Sequence, residues 1–66
     1  MYYVYILQNK VTYKLYIGYT HDLRRRFAEH NAGKSRATAP GIPFELIYYE
    51  AYKNKNDALS RERQLK

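Results

Sequence analysis

The sequence predicts a small α/β (α+β) domain, a three-stranded antiparallel sheet flanked by two helices in the order β-β-α-β-α. Three observations predict it. Two aromatic and β-branched runs, Tyr2 to Leu7 and Tyr13 to Tyr19, lie close enough to form a hairpin. A third alternating run, Phe44 to Tyr52, follows a loop rich in chain breakers. Helical periodicity and capping residues occupy the two remaining intervals.

Composition bounds the rest. The 66 residues make one domain, spanning residues 1–66. A chain of this size buries only ~60% of its unfolded surface, so its core is small. It has no cysteine, which excludes disulfides and cysteine-ligated metals. No apolar run approaches the roughly 18 residues of a membrane span, and the N-terminus lacks a signal-peptide pattern. These features read as a soluble, cytoplasmic protein without membrane contact. The formal charge is +6, with 12 Lys+Arg against 6 Asp+Glu, and nine tyrosines accompany it. Basic charge with aromatics is the footprint of a nucleic-acid binder. A solvated basic protein with a tyrosine core is the bland alternative.

The hairpin is read as a tight turn centred on Lys10 and Val11, which sets Tyr5 opposite Tyr16 and Tyr3 opposite Gly18. The pleat then puts Tyr2, Val4, Ile6, Tyr13, Leu15, Ile17 and Tyr19 on one face. Tyr3, Tyr5, Leu7, Lys14, Tyr16 and Gly18 take the other. Thr20 or Asp22 caps the first helix, and Gly33 suits a left-handed position at its end. Lys34 to Pro43 reads as a loop with Lys34 and Arg36 as basic residues. Asn54 or Asn56 caps the second helix, with Asp57 in its first turn. That helix reaches Lys66 without a stop signal, so the natural domain is expected to continue beyond it.

Both helices aim polar groups inward. At about 100° per residue, Leu23, Arg26, Phe27 and His30 share one stripe. In the second helix Glu62 falls within the stripe of Ala58, Leu59 and Leu65, while Arg61, Arg63 and Gln64 point away. Charged groups rarely face inward without a partner. Singly, each has a structural explanation. Tyr5 and Tyr16 suit strand packing, Arg26 suits a snorkelling surface pair, His30 suits a helix C-terminus, and Glu62 suits an ion pair with Arg26. Five together at this spacing point to a site.

These residues carry a resemblance. Tyr3-Val4-Tyr5, Tyr16-Ile17-Gly18, Arg26 eight residues past that glycine, His30 four further on, and Glu62 in Ala58-Leu59-Ser60-Arg61-Glu62 resemble the GIY-YIG nuclease superfamily. The likeness is to its short single-domain bacterial members, similar to the UvrC N-terminal catalytic module and the Slx1-type endonucleases. It covers nearly the whole chain. Tyr3 stands where the signature has glycine, and its side chain is expected to narrow the approach beside Gly18.

The resemblance implies a metal-dependent DNA endonuclease, of repair or recombination type, with DNA as its partner. It implies Glu62 as ligand to Mg²⁺ or Mn²⁺, which accept one or two carboxylates and keep water in other positions. Tyr16 is then the candidate general base, oriented by Tyr5. Arg26 forks two donors onto the phosphate, and His30 bonds the phosphate or a tyrosine. Lys34, Arg36, Arg24 and Arg25 are expected on the DNA backbone. So small a surface favours a protein partner that supplies specificity. A second class, a nucleic-acid-binding module of the same fold that cuts weakly or not at all, predicts salt-dependent binding without cleavage. A purely structural protein leaves the inward polar quintet unexplained.

Overall fold

The computed structural model describes residues 1–33 and 43–66. The loop expected at Lys34 to Pro43, with Lys34 and Arg36, lies outside the described residues except for Pro43. Three strands, β1 (Tyr2–Asn9), β2 (Leu15–Thr20) and β3 (Phe44–Tyr52), form an antiparallel sheet in the order β2-β1-β3. Helices α1 (Leu23–Asn31) and α2 (Lys55–Leu65) complete the expected order. Neither helix is long and apolar enough to cross a membrane.

β1 is the central strand, and its sequence is apolar on both faces as that position requires. Tyr5 and Leu7 are buried on one face with Phe44, where Tyr16, Leu23, Phe27 and Leu46 close over them. This is the α1 side. Val4 is equally buried on the other face, where α2 contributes the fully buried Ala58. Small α2 side chains at the contact let the helix approach the sheet.

The hairpin differs from the expected register by two residues. Tyr5 lies opposite Gly18 and Leu7 opposite Tyr16, not Tyr5 opposite Tyr16. Asn9 is the cause. Its side-chain oxygen accepts from the amides of Val11 and Thr12, both at 2.8 Å, and its backbone N–H bonds Lys14 O at 2.9 Å. This turn, built on an asparagine side chain, makes the loop Lys10 to Tyr13, with Tyr13 in the left-handed region at φ 63°. A shift of two preserves side-chain alternation, so the expected faces survive. Tyr3 now opposes Thr20, so it does not narrow the approach beside Gly18.

Two more asparagines tie the helices down. Asn54 caps α2 by accepting from Asn56 N and Asp57 N. Asn31, the last residue of α1, accepts from Phe44 N at 2.8 Å and donates to Phe44 O at 3.2 Å. That double bond of side chain to backbone fixes the end of α1 against the start of β3. Asp22 caps α1 by accepting from Arg25 N, and Gly33 follows it at φ 77° as expected.

Gly18 is required by contact, not by φ. A Cβ there would stand 2.3 Å from the Tyr5 hydroxyl oxygen and 2.4 Å from its ring. The Tyr5 ring is fully buried and cannot swing aside. Gly18→Ala is therefore expected to destabilise the domain by about 1–3 kcal/mol, the range for overpacking a filled interior. Urea denaturation measures this, and an unchanged midpoint would contradict the position of the ring.

Candidate active site

β1 directs Tyr5 onto the α1 side of the sheet, where it is 1% exposed. Its phenol lies across Gly18 and ends at α1. There Nε2 of His30, itself 0% exposed, stands 2.9 Å from the hydroxyl oxygen. The two rings meet edge to face at 5.8 Å and 62°. The Tyr16 ring approaches the same imidazole at 5.1 Å and 61°. His30 is thus wedged between two phenols, one from each strand of the hairpin. Helical spacing brings Arg26 one turn before His30, beside the Tyr5 phenol.

The protons of this cluster follow from its donors. Burial pushes the Tyr5 phenol above its ordinary 10; hydrogen bonding from Arg26 pulls back, and the charge of Glu62 adds to the rise. A guanidinium only donates. The Tyr5 oxygen is therefore positioned to accept from Arg26, and it shares a hydrogen bond with His30 Nε2 at 2.9 Å. Burial first, and the Arg26 charge second, hold His30 below its ordinary 6.5, with Glu29 opposing. The imidazole is neutral near pH 7.

Arg26 pairs with Glu29, not with Glu62. Its Nη1 donates to Glu29 Oε1 at 3.2 Å, and Arg25 Nε reaches Glu29 Oε2 at 3.4 Å. The Arg26 side chain is 36% exposed, so this pair is a weak one that substrate can displace. It borders a recess of about 230 Å³ formed with Thr20, His21 and Asp22.

Glu62 lies on the third turn of α2, with Lys66 Nζ at 3.5 Å and 19% of its side chain exposed. Its charge reaches Tyr5 electrostatically. Among the described residues no three His, Cys, Asp or Glu side chains cluster as a closed metal cage. A lone, accessible carboxylate fits a hard cation of the Mg²⁺ type, which keeps its waters and takes phosphate oxygens from substrate. Tyr5, Tyr16, Arg26 and His30 thus meet on the α1 side of the sheet, while Glu62 stands on α2 and is linked to them through its charge on Tyr5.

The sequence reading missed Arg61, which it turned outward. Arg61 Nε donates to Glu50 Oε1 at 2.9 Å and its Nη2 to Oε2 at 3.3 Å. Tyr52 donates to the same carboxylate at 2.6 Å, and Tyr48 donates as well. The two tyrosines, followed by Arg61, hold the Glu50 carboxyl down at about 2. This network fixes α2 to β3 one residue from Glu62. Two tyrosines flanking a glutamate at alternate positions of one strand were the available signal.

Protonation of His30 would place a charge on a buried imidazole beside the Arg26 guanidinium. The unfolded chain takes up that proton below about 6.5 while the native state resists it. Stability is therefore expected to fall as pH drops from about 6.5 toward 5, and His30→Gln should flatten that dependence. Urea midpoints across this range measure it, and an unaltered slope in the variant would contradict a buried neutral imidazole.

Known proteins give the geometry its context. The GIY-YIG catalytic domain family matches residues 1–66. A UPF0213 protein of Streptococcus pyogenes serotype M3 is 46% identical over 61 residues, 91% of this chain and 65% of that protein. One from Haloquadratum walsbyi is 42% identical over 65 residues, covering 97% of this chain and 72% of its own. The solution NMR structure of a UPF0213 protein from Bacillus halodurans is similar, with a TM-score of 0.60 and 37% identity over 98% of this chain and 70% of that one. The chain spans 65% of the length of the streptococcal relatives it matches first. With its sequence matched throughout and its strand and helix order shared, the chain belongs to the GIY-YIG catalytic domain family, a family of nucleases.

Proposed function

We propose that this protein is a divalent-metal-dependent DNA endonuclease that hydrolyses phosphodiester bonds in repair or recombination, in the cytoplasm and without sequence readout of its own. The observation that carries this reading is the chain Arg26–Tyr5–His30, with Tyr16 against the same imidazole and Glu62 within electrostatic reach. Specificity comes from a protein partner or from the DNA structure itself.

Each residue then has a role that its environment supports. Arg26 exchanges its exposed pair with Glu29 for the scissile phosphate, to which a guanidinium donates two parallel hydrogen bonds. Tyr16, half-buried at the rim, takes the proton of the attacking water. A phenol acting as base needs positive charge nearby to favour its phenolate. Tyr5 is too deeply buried to meet substrate and acts as a positioning residue. Its hydroxyl holds Arg26 and His30 in register, and His30 holds the ring of Tyr16. Glu62 would hold Mg²⁺ or Mn²⁺, whose Lewis acidity stabilises charge on the phosphoryl oxygens. The lone carboxylate also favours a second reading, a DNA-binding module that cuts slowly.

The test is cleavage of labelled single-stranded, duplex and branched DNA with Mg²⁺ or Mn²⁺. The protein is expected to cut at least one of them. Tyr16→Phe should lower the rate by about 10²–10⁴, the usual contribution of a general base. Glu62→Gln should abolish metal-dependent cutting, and Arg26→Lys should cost about 10²-fold or more. Salt-dependent binding without cleavage would establish the second reading instead. Equal cutting by folded variants would remove these residues from the chemistry.

A further inference from the structure

The helix that carries Arg26 and His30 has a second flank. Arg26 and His30 face β2, whereas Leu23 and Phe27 face β3. Along that second flank runs a groove of about 490 Å³, larger than the 230 Å³ recess beside Arg26. Phe27 and Leu46 form its apolar floor, and Tyr3 and Tyr49 its aromatic wall. Arg24 and His21, both exposed, stand at the rim. Asp22 also lines it, but its carboxylate is engaged as the α1 cap, accepting from Arg25 N at 3.2 Å.

Two features of this groove are not needed by the fold. Tyr49 is 55% exposed, which leaves much of its ring open to solvent. Tyr3 meets it edge to face at 6.2 Å and 60°, which orients the Tyr49 ring without covering both its faces. An oriented, half-exposed aromatic with a guanidinium at its side matches the chemistry of base stacking next to a phosphate. The groove's volume falls within the range that accommodates a small planar ligand. Bases in a duplex are stacked and paired and offer the ring no free face. The groove and Arg26 lie on opposite flanks of one helix, roughly 10 Å across.

We propose that this groove binds an unpaired base of the DNA strand beside the cleaved phosphate. Tyr49 is the stacking platform, Tyr3 sets its angle, and Arg24 takes the adjoining phosphate. The inference rests on the nuclease reading for its substrate and adds to it a preference for DNA with single-stranded character.

The chain has no tryptophan, so Tyr49→Trp introduces a single fluorescent reporter on the groove. Its emission, titrated without metal, is expected to be quenched by oligothymidylate and much less by a duplex of equal length. In parallel, anisotropy of a labelled single strand should show Tyr49→Ala weakening affinity at least ~5-fold, the low end of one stacked base. Tyr49→Phe should retain it, and circular dichroism checks that each variant is folded. Binding of the single strand with no quench, equal quench by duplex, or unchanged affinity in Tyr49→Ala would overturn the groove assignment. Because the titration needs no cleavage, the two readings separate. Quench without cutting by the unaltered protein supports the groove and counts against the nuclease. Cutting with a silent reporter does the reverse.

Discussion

The site depends on one contact, the Tyr5 ring laid across Gly18 with its hydroxyl on His30. The ring can lie there only because β2 offers no side chain opposite it. The hydrogen bond forms only because α1 docks with its last turn over that ring. Sheet register and helix placement are therefore coupled through a single phenol. Arg26 lies beside the same hydroxyl, so this contact places the guanidinium as well as the imidazole. A buried polar chain of this kind holds its geometry only when every member is satisfied. Among the described residues no buried side-chain nitrogen or oxygen lacks a partner.

A small domain leaves little apolar area for holding five elements together. This chain supplements its core with short polar clamps. Asn9 closes the hairpin, Asn31 joins α1 to β3, and Asn54 starts α2. The Glu50–Arg61 pair, with Tyr48 and Tyr52, binds α2 to the sheet on the face opposite α1. The two faces thus divide the labour. The α1 face carries the proton chain, and the α2 face secures the helix that brings Glu62. Exposed pairs of this type contribute little to stability singly, but here they fix helix orientation, on which the separation of Glu62 from Tyr16 depends.

Much of this was legible in the residues. β3 matches its alternating run from Phe44 to Tyr52, because alternation reflects burial directly. The caps Asp22 and Asn54 and the left-handed Gly33 follow from local chemistry. The common face of Tyr5 and Tyr16 and the shared stripe of Arg26 and His30 were identifiable because helical and strand periods assign faces without tertiary information. The hairpin register was not, because a competing four-residue loop is decided by the Asn9 side chain reaching two amides. The error was two residues, so Tyr5 and Tyr16 kept their common face, but Gly18 rather than Tyr16 became the partner of Tyr5. Arg61 was misread because its partner Glu50 lies on another element, and no periodicity within α2 reports it. The Arg26 pair with Glu29 lies within one helix turn and is the surface pair expected of a snorkelling arginine, in place of the alternative pair with Glu62.

The most direct test is the protonation state of His30, read by long-range ¹⁵N NMR of its imidazole near neutral pH. A buried, hydrogen-bonded His30 is expected to be a neutral ring whose Nε2 signal shifts in Tyr5→Phe. An imidazolium at that pH, or an Nε2 signal unchanged by Tyr5→Phe, would contradict the Tyr5–His30 contact on which the site is built.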